Sequence, residues 1–123
     1  MASERFSKAR RVRRRDEFQR VFDLSQRAKG RYFTVLLAPN EPGVARLGIV
    51  ASRKLGDAVR RNRAKRLIRE VFRRSDLLPP GKGLDVVVIP RRELFDAVYS
   101  SLESDFRSTV KRCAARLFGP DVR

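Results

Sequence analysis

Apolar positions along this chain recur at two different spacings, and the switches between them mark out the elements. From about Asp16 the residues Phe18, Val21 and Phe22 fall on one face at helical spacing, and Asp16 and Glu17 suit the positive end of a helix dipole. This first helix should fade by Gln26, and an irregular piece containing Gly30 follows. Arg31 to Ala38 reads as a strand, because Tyr32, Phe33, Thr34 and Val35 favour extended backbone. Pro39 to Gly43 is rich in turn formers, and Val44 to Ser52 reads as a second strand. The two predict an antiparallel hairpin with a loop of about five residues.

Asp57 can cap a helix over Ala58 to Arg74, whose inner stripe would be Ala64, Leu67, Ile68, Val71 and Phe72. A loop with Pro79, Pro80, Gly81 and Gly83 leads to a third strand, Leu84 to Pro90. Its unbroken run Val86 to Ile89 predicts burial on both faces. A last helix is predicted from Asp96 to Leu117, with Val98, Leu102, Phe106, Val110, Cys113 and Leu117 as its stripe, and Gly119 and Pro120 ending it. Helix, strands, helix, strand, helix predicts an α+β, two-layer domain with a sheet of three or four strands. The folded unit should span 16–119, after a basic and flexible tail over 1–15. There are no internal repeats.

Charge narrows the function. The chain has 123 residues and a net charge of +16, with 30 basic residues against 14 acids. Such a surplus repels itself in a compact state and is relieved by a polyanion. No apolar run approaches the length of a membrane span. No apolar stretch follows the basic N-terminus, so it does not read as a secretory leader. A lone Cys113 cannot form an internal disulfide, which predicts a cytoplasmic protein. Nucleic acid is the expected partner and membrane is not.

The charge is concentrated. Ser52 to Arg74 holds ten basic residues against Asp57 and Glu70. The face of the helix away from its apolar stripe carries Arg61, Lys65 and Arg69 in one row, with Asn62, Arg66 and Arg73 beside it. Like charges one turn apart weaken a helix by a few tenths of a kcal/mol per pair, so stability alone would not select this row. Phosphates would: arginine binds their oxygens bidentately, and each one neutralised releases counterions. Asn62 adds a neutral donor and acceptor suited to a base edge or a ribose hydroxyl.

Catalysis by the polypeptide itself is not expected. There is no His for acid–base cleavage, and one Cys without His cannot assemble a zinc site. Asp57, Glu70 and Asp85 are isolated beside arginines, whereas two-metal nucleases cluster their carboxylates. Cys113 falls on an apolar stripe and reads as core. A structural ribosomal protein or a basic RNA chaperone fits the charge equally well. A DNA-reading protein fits worse, since no helix-turn-helix or zinc pattern is present.

The run Gly56 to Glu70, with Arg61-Asn62-Arg63 at its centre followed by Lys65-Arg66 and Arg69-Glu70, resembles the signature of the bacterial ribonuclease P protein component. Ser52-Arg53-Lys54 is similar to the family's serine and paired basic residues. Asp16-Glu17-Phe18 with Val21-Phe22 resembles its first helix. Arg46-Leu47-Gly48-Ile49 and Asp85-Val86-Val87-Val88 resemble the strands on either side of the motif.

The resemblance implies a four-stranded, mostly antiparallel sheet with three helices in the order α-β-β-β-α-β-α. It also implies a left-handed crossover around the basic helix and a short extra strand near Gln26 to Gly30. It further implies two RNA surfaces. Ser52, Arg53, Lys54, Arg61, Asn62, Arg63, Lys65, Arg66 and Arg69 would meet the catalytic RNA. A cleft beside the first helix would hold the single-stranded 5′ leader of precursor tRNA. There Phe18 would stack on a base, while Phe22 reads more readily as core. The RNA subunit would bind Mg2+ and cleave. No catalytic residue, metal ligand or cofactor is assigned to the protein itself.

Overall fold

A computed structural model of the chain describes residues 11–40, 44–75 and 83–118. The basic stretch before Arg11, the turn at 41–43, the loop at 76–82 and the predicted stop at Gly119 and Pro120 lie outside the described residues.

The elements run α1 (Arg15–Leu24), β1 (Gln26–Lys29), β2 (Phe33–Pro39), β3 (Ala45–Ile49), α2 (Ala58–Arg74), β4 (Leu84–Pro90) and α3 (Tyr99–Phe118). The order is the one the sequence led us to expect, and β1 occupies the place of the short extra strand. α2 and β4 match their predicted bounds. α2 starts where it does because Asp57 accepts the backbone N–H of Arg60 at 3.0 Å, satisfying a donor that the first helical turn leaves open. Gly56, just before the cap, has φ +130°, a conformation that side chains resist.

The sheet order is β1-β2-β4-β3. β1 pairs antiparallel with β2 and β2 antiparallel with β4, while β3 pairs parallel with β4. The expected β2–β3 hairpin is therefore not formed, because β4 lies between those strands. The physical reason is burial. β4 is covered at all but one position, so its apolar run takes a central slot and leaves the edge to β3. Parallel pairing of β3 and β4 needs a long crossover, which α2 provides.

Alternate strand residues point to opposite faces. Val35 and Leu37 of β2, with Val86 and Val88 of β4, meet Ala64, Ile68, Val71 and Phe72 of α2 and Leu102, Phe106 and Val110 of α3. Phe106 sits edge-on to Phe33 at 6.0 Å and to Phe72 at 6.5 Å, tying the two helices to the sheet. Leu36, Ala38 and Val87 face the other way and meet Val21 of α1, with Phe18 packed beside them. The helices thus do not form one layer: α2 and α3 cover one face, and α1 covers part of the other.

Three further expectations change. α3 begins at Tyr99, after a separate helical turn over Arg92–Asp96. The Val98 carbonyl accepts the first bonds of α3, so Val98 stands at the cap and outside the stripe, 66% exposed. The tail does not run free to Arg15, because the N–H of Val12 donates to the Leu47 carbonyl at 2.9 Å and Val12 is buried. Phe22, read as core, is 40% exposed. Its neighbour Val21 takes the buried position instead.

At the opposite edge of the sheet, α3 runs over β1. Arg112 donates to the Lys29 carbonyl at 3.1 Å, Arg116 to the Arg27 carbonyl, and the Cys113 thiol to the Gln26 carbonyl at 2.9 Å. Burial pushes the Cys113 thiol pKa up. These bonds occupy strand carbonyls at an edge that would otherwise be open to another chain.

Candidate nucleic-acid interface

The apolar stripe of α2 fixes which of its cations face out. Successive residues lie about 100° apart around a helix. With Ala64, Ile68 and Val71 inward, Arg61, Lys65 and Arg69 run down the flank facing the β3 edge. Asn62 and Arg66 occupy the outermost line. Arg63 falls on the far flank, so the Arg-Asn-Arg triplet cannot meet one flat partner with all three side chains.

Asn62, Arg63, Arg66 and Arg69 are exposed, while Arg61 and Lys65 are half-buried. None of the five cations from Arg61 to Arg69 forms an ion pair among the described residues. Only Arg73 and Arg74, at the C-terminal end, are tied to Glu70, at 2.5 and 2.6 Å. Those bonds hold the Glu70 carboxyl below its usual range. Ser52, Arg53 and Lys54 are exposed in a short helical turn ahead of α2. In the helical turn that follows β4, Phe95 receives the Arg60 guanidinium over its ring at 4.9 Å.

A cleft of about 260 Å³ opens where α1, the β3 edge and α2 converge. Arg11, Val12 and Arg13 cross one side as a strap. Phe18 forms a wall, Leu47 to Ile49 form the floor, and Lys65 and Arg69 close the far side. The fold thus brings Phe18 together with two members of the basic row. Phe22 lies one turn further along α1 and does not line this cleft. Gly48 makes the close packing possible. A Cβ there would stand 2.8 Å from Phe18 Cε1 and 2.9 Å from Val12 Cβ.

Beside the cleft lies a group that the sequence reading left without a role. Arg46, on β3, donates through Nε to Asp85 Oδ1 at 2.7 Å and through Nη2 to Asp85 Oδ2 at 2.8 Å. Its Nη1 donates to Glu17 Oε2 at 3.0 Å. Asp85 is 1% exposed and also accepts from Asn40 Nδ2 at 2.7 Å. Glu17 Oε1 accepts the backbone N–H groups of Arg13 and Arg14, each at 3.0 Å. These two bonds, Arg14's first, are the main reason that the Glu17 carboxyl is lowered from 4.5 to about 2; Arg46 adds to them. The hydrogen bond to Asp85, more than any other contact, holds the Arg46 guanidinium still more firmly in its charged form. A signal was present in the sequence: one acid inside the apolar run of β4 and one arginine in β3, each needing a buried partner.

Among the described residues the carboxylates do not form a set for a divalent cation. Asp85 and Glu17 are bonded to Arg46, Glu70 to two arginines, and Asp57 to its helix end. Asp105 accepts the N–H groups of Arg31 and Tyr32 at 3.0 and 2.8 Å. No helix among the described residues is long and apolar enough to cross a membrane.

The geometry describes a protein with two adjoining cationic surfaces, one convex and one concave with an aromatic wall. The pattern of the Ribonuclease P family matches residues 6–114. A ribonuclease P protein component of Thermotoga petrophila is 45% identical over 92 residues, covering 75% of this chain and 78% of that one. One from Halalkalibacterium halodurans is 35% identical, covering 94% and 96%. The solved ribonuclease P protein of Thermotoga maritima superposes with a TM-score of 0.73 at 38% identity, covering 83% of this chain and 96% of that one. That of Staphylococcus aureus gives 0.72 at 33%, covering 85% and 95%. On sequence and fold together, the chain belongs to the ribonuclease P protein family, whose members are subunits of the ribonuclease P endoribonuclease.

Proposed function

We propose that this subunit binds the catalytic RNA through the outer line of α2 and the Ser52–Lys54 turn, and holds the single-stranded 5′ leader of precursor tRNA in the cleft beside Phe18. The RNA, with its own Mg2+, then performs the cleavage that yields the mature tRNA 5′ end. The site of action is the cytoplasm, and neither DNA nor membrane is a partner.

One observation carries the reading. A row of cations free of internal carboxylates continues into a cleft walled by a half-buried aromatic ring. Rigid cations neutralise phosphates, and the exposed part of an aromatic ring stacks on an unpaired base. Duplex nucleic acid would find the cations but has no free base for Phe18. A strand with splayed bases uses both. Lys65 and Arg69 line the cleft and so serve the leader's phosphates as well as the catalytic RNA. Phe22, exposed one turn on, extends the aromatic surface along α1. With Glu17, Asp57, Glu70 and Asp85 bonded internally, the protein's part is to bind and orient, and to screen charge between two RNAs.

The test is reconstitution with a bacterial ribonuclease P RNA at a magnesium concentration too low for the RNA alone. Adding the protein should restore cleavage of precursor tRNA at the mature 5′ end. Absence of stimulation would refute the reading.

A further inference from the structure

The cleft wall is held from outside the cleft. Glu17 and Phe18 are consecutive, so whatever fixes the Glu17 side chain fixes the first turn of α1 from which Phe18 projects. Glu17 is fixed at both oxygens, by the strap amides of Arg13 and Arg14 on one side and by Arg46 on the other. Arg46 is anchored in turn by two bonds to buried Asp85 on β4. The chain of contacts runs from strap to helix to edge strand to central strand. It ends at Asn40, just past β2, which bonds both Asp85 and the Val44 carbonyl at the start of β3.

Every nitrogen of the Arg46 guanidinium is engaged. Although it lies beside a phosphate-binding cleft, Arg46 is thus spent on internal geometry. Both walls that Gly48 leaves room for, Phe18 and Val12, belong to segments that meet at Glu17. Loss of the Glu17 bonds would free two strap amides and the entry of α1 together. The cleft would change width while the core beneath it stayed intact.

We infer that Glu17, Arg46 and Asp85 act as a positioning chain that sets the distance between the Phe18 ring and the strap, and hence the cleft's affinity for a single-stranded nucleotide. The inference rests on the reading of the cleft as the leader site. It assigns to Glu17, an acid in a surface otherwise built for an anion, a role in binding that anion through Phe18.

The experiment measures how much the reconstituted holoenzyme prefers a precursor tRNA carrying its leader over the same tRNA without one. A base stacked on an aromatic ring contributes about 1–3 kcal/mol, so Phe18→Ala should cut this preference by about 5- to 150-fold. Glu17→Gln keeps the size of the side chain but loses its charge toward Arg46, and should cut the preference at least about fivefold. In the double variant the second change should add less than it costs alone, because Glu17 acts by placing the Phe18 ring against the strap. A merely structural Glu17 would give additive losses, or equal losses on both substrates, and either result would overturn the positioning chain. Loss with Phe18→Ala but none with Glu17→Gln would overturn it too and leave the leader reading standing. Unchanged preference in both variants would refute the leader reading itself, and the inference with it. Should Glu17→Gln fail to fold, Arg46→Lys carries the same predictions, since it keeps the charge and loses the fork.

Discussion

Arg46 is the residue whose removal the structure prices most clearly. Asp85 is 1% exposed, and Arg46 supplies two of its three hydrogen bonds and the nearest positive charge. Arg20 stands at 4.0 Å from the same carboxylate and is itself 42% exposed, too distant to replace the fork. Arg46→Ala leaves a buried carboxylate with only the Asn40 amide and removes the bond to Glu17 Oε2 as well. Breaking one side of a buried pair in this way costs about 3–5 kcal/mol. For a chain of this size each kcal/mol moves the melting midpoint by about 3–6 °C, so the midpoint should fall by roughly 9–30 °C.

Two comparisons separate an orphaned charge from a lost contact. Arg73→Ala, whose partner Glu70 is on the surface, should move the midpoint little. The double variant Arg46→Met, Asp85→Leu removes both charges and should recover much of the loss, since a well-packed apolar pair often matches a buried ionic one. If Arg46→Ala melts within about 1 kcal/mol of the parent, the pair is worth no more than an exposed one, and the buried-anchor argument is wrong. If the double variant is no better than the single, the loss lies in packing and not in charge.

Three further outcomes follow from the geometry. Replacing Lys65, Arg66 and Arg69 by Ala should lower the slope of log affinity against log salt by about 0.7–0.9 per phosphate contact, roughly 2–2.7 in all, for binding to ribonuclease P RNA. Arg63→Ala, on the far flank, should change it by less, and equal slopes for both sets would show that the facing of α2 is misread. Glu17 has its carboxyl lowered from 4.5 to about 2, so it contributes stability above its unfolded value that fades as pH falls from about 4.5 toward 2. Glu17→Gln should flatten that part of the stability curve, and superimposable acid-unfolding profiles would refute the shift. Gly48→Ala puts a methyl group 2.8 Å from the Phe18 ring. It should cost about 1–3 kcal/mol by overpacking and lower the preference for a leader, whereas an unchanged melting midpoint would show that the wall yields freely.

Much of this protein could be read from the chain alone, because some signals are local. The helical stripe from Ala64 to Phe72, the Asp57 cap and the β4 run each rest on neighbours within one or two turns, and they set α2 and β4 at their observed bounds. The outward charge of α2 followed as well, because an apolar stripe fixes its opposite face. Strand pairing did not follow. β2 and β3 are adjacent in sequence, but their hairpin lost to a competitor more than thirty residues away, whose apolar run buries more area in the centre of the sheet. The same non-local contest put Val21 inside and left Phe22 in solvent, set α1 on the opposite face from α2 and α3, and drew Val12 onto the β3 edge. The cleft is the clearest case. Its strap, aromatic wall, glycine floor and cations come from four separate stretches, and the arginine that steadies it, beside the floor on β3, finds its partners on α1 and β4. Periodicity and charge determine what each segment can offer. Which segments meet is decided by long-range burial and by the need of every buried charge for a partner.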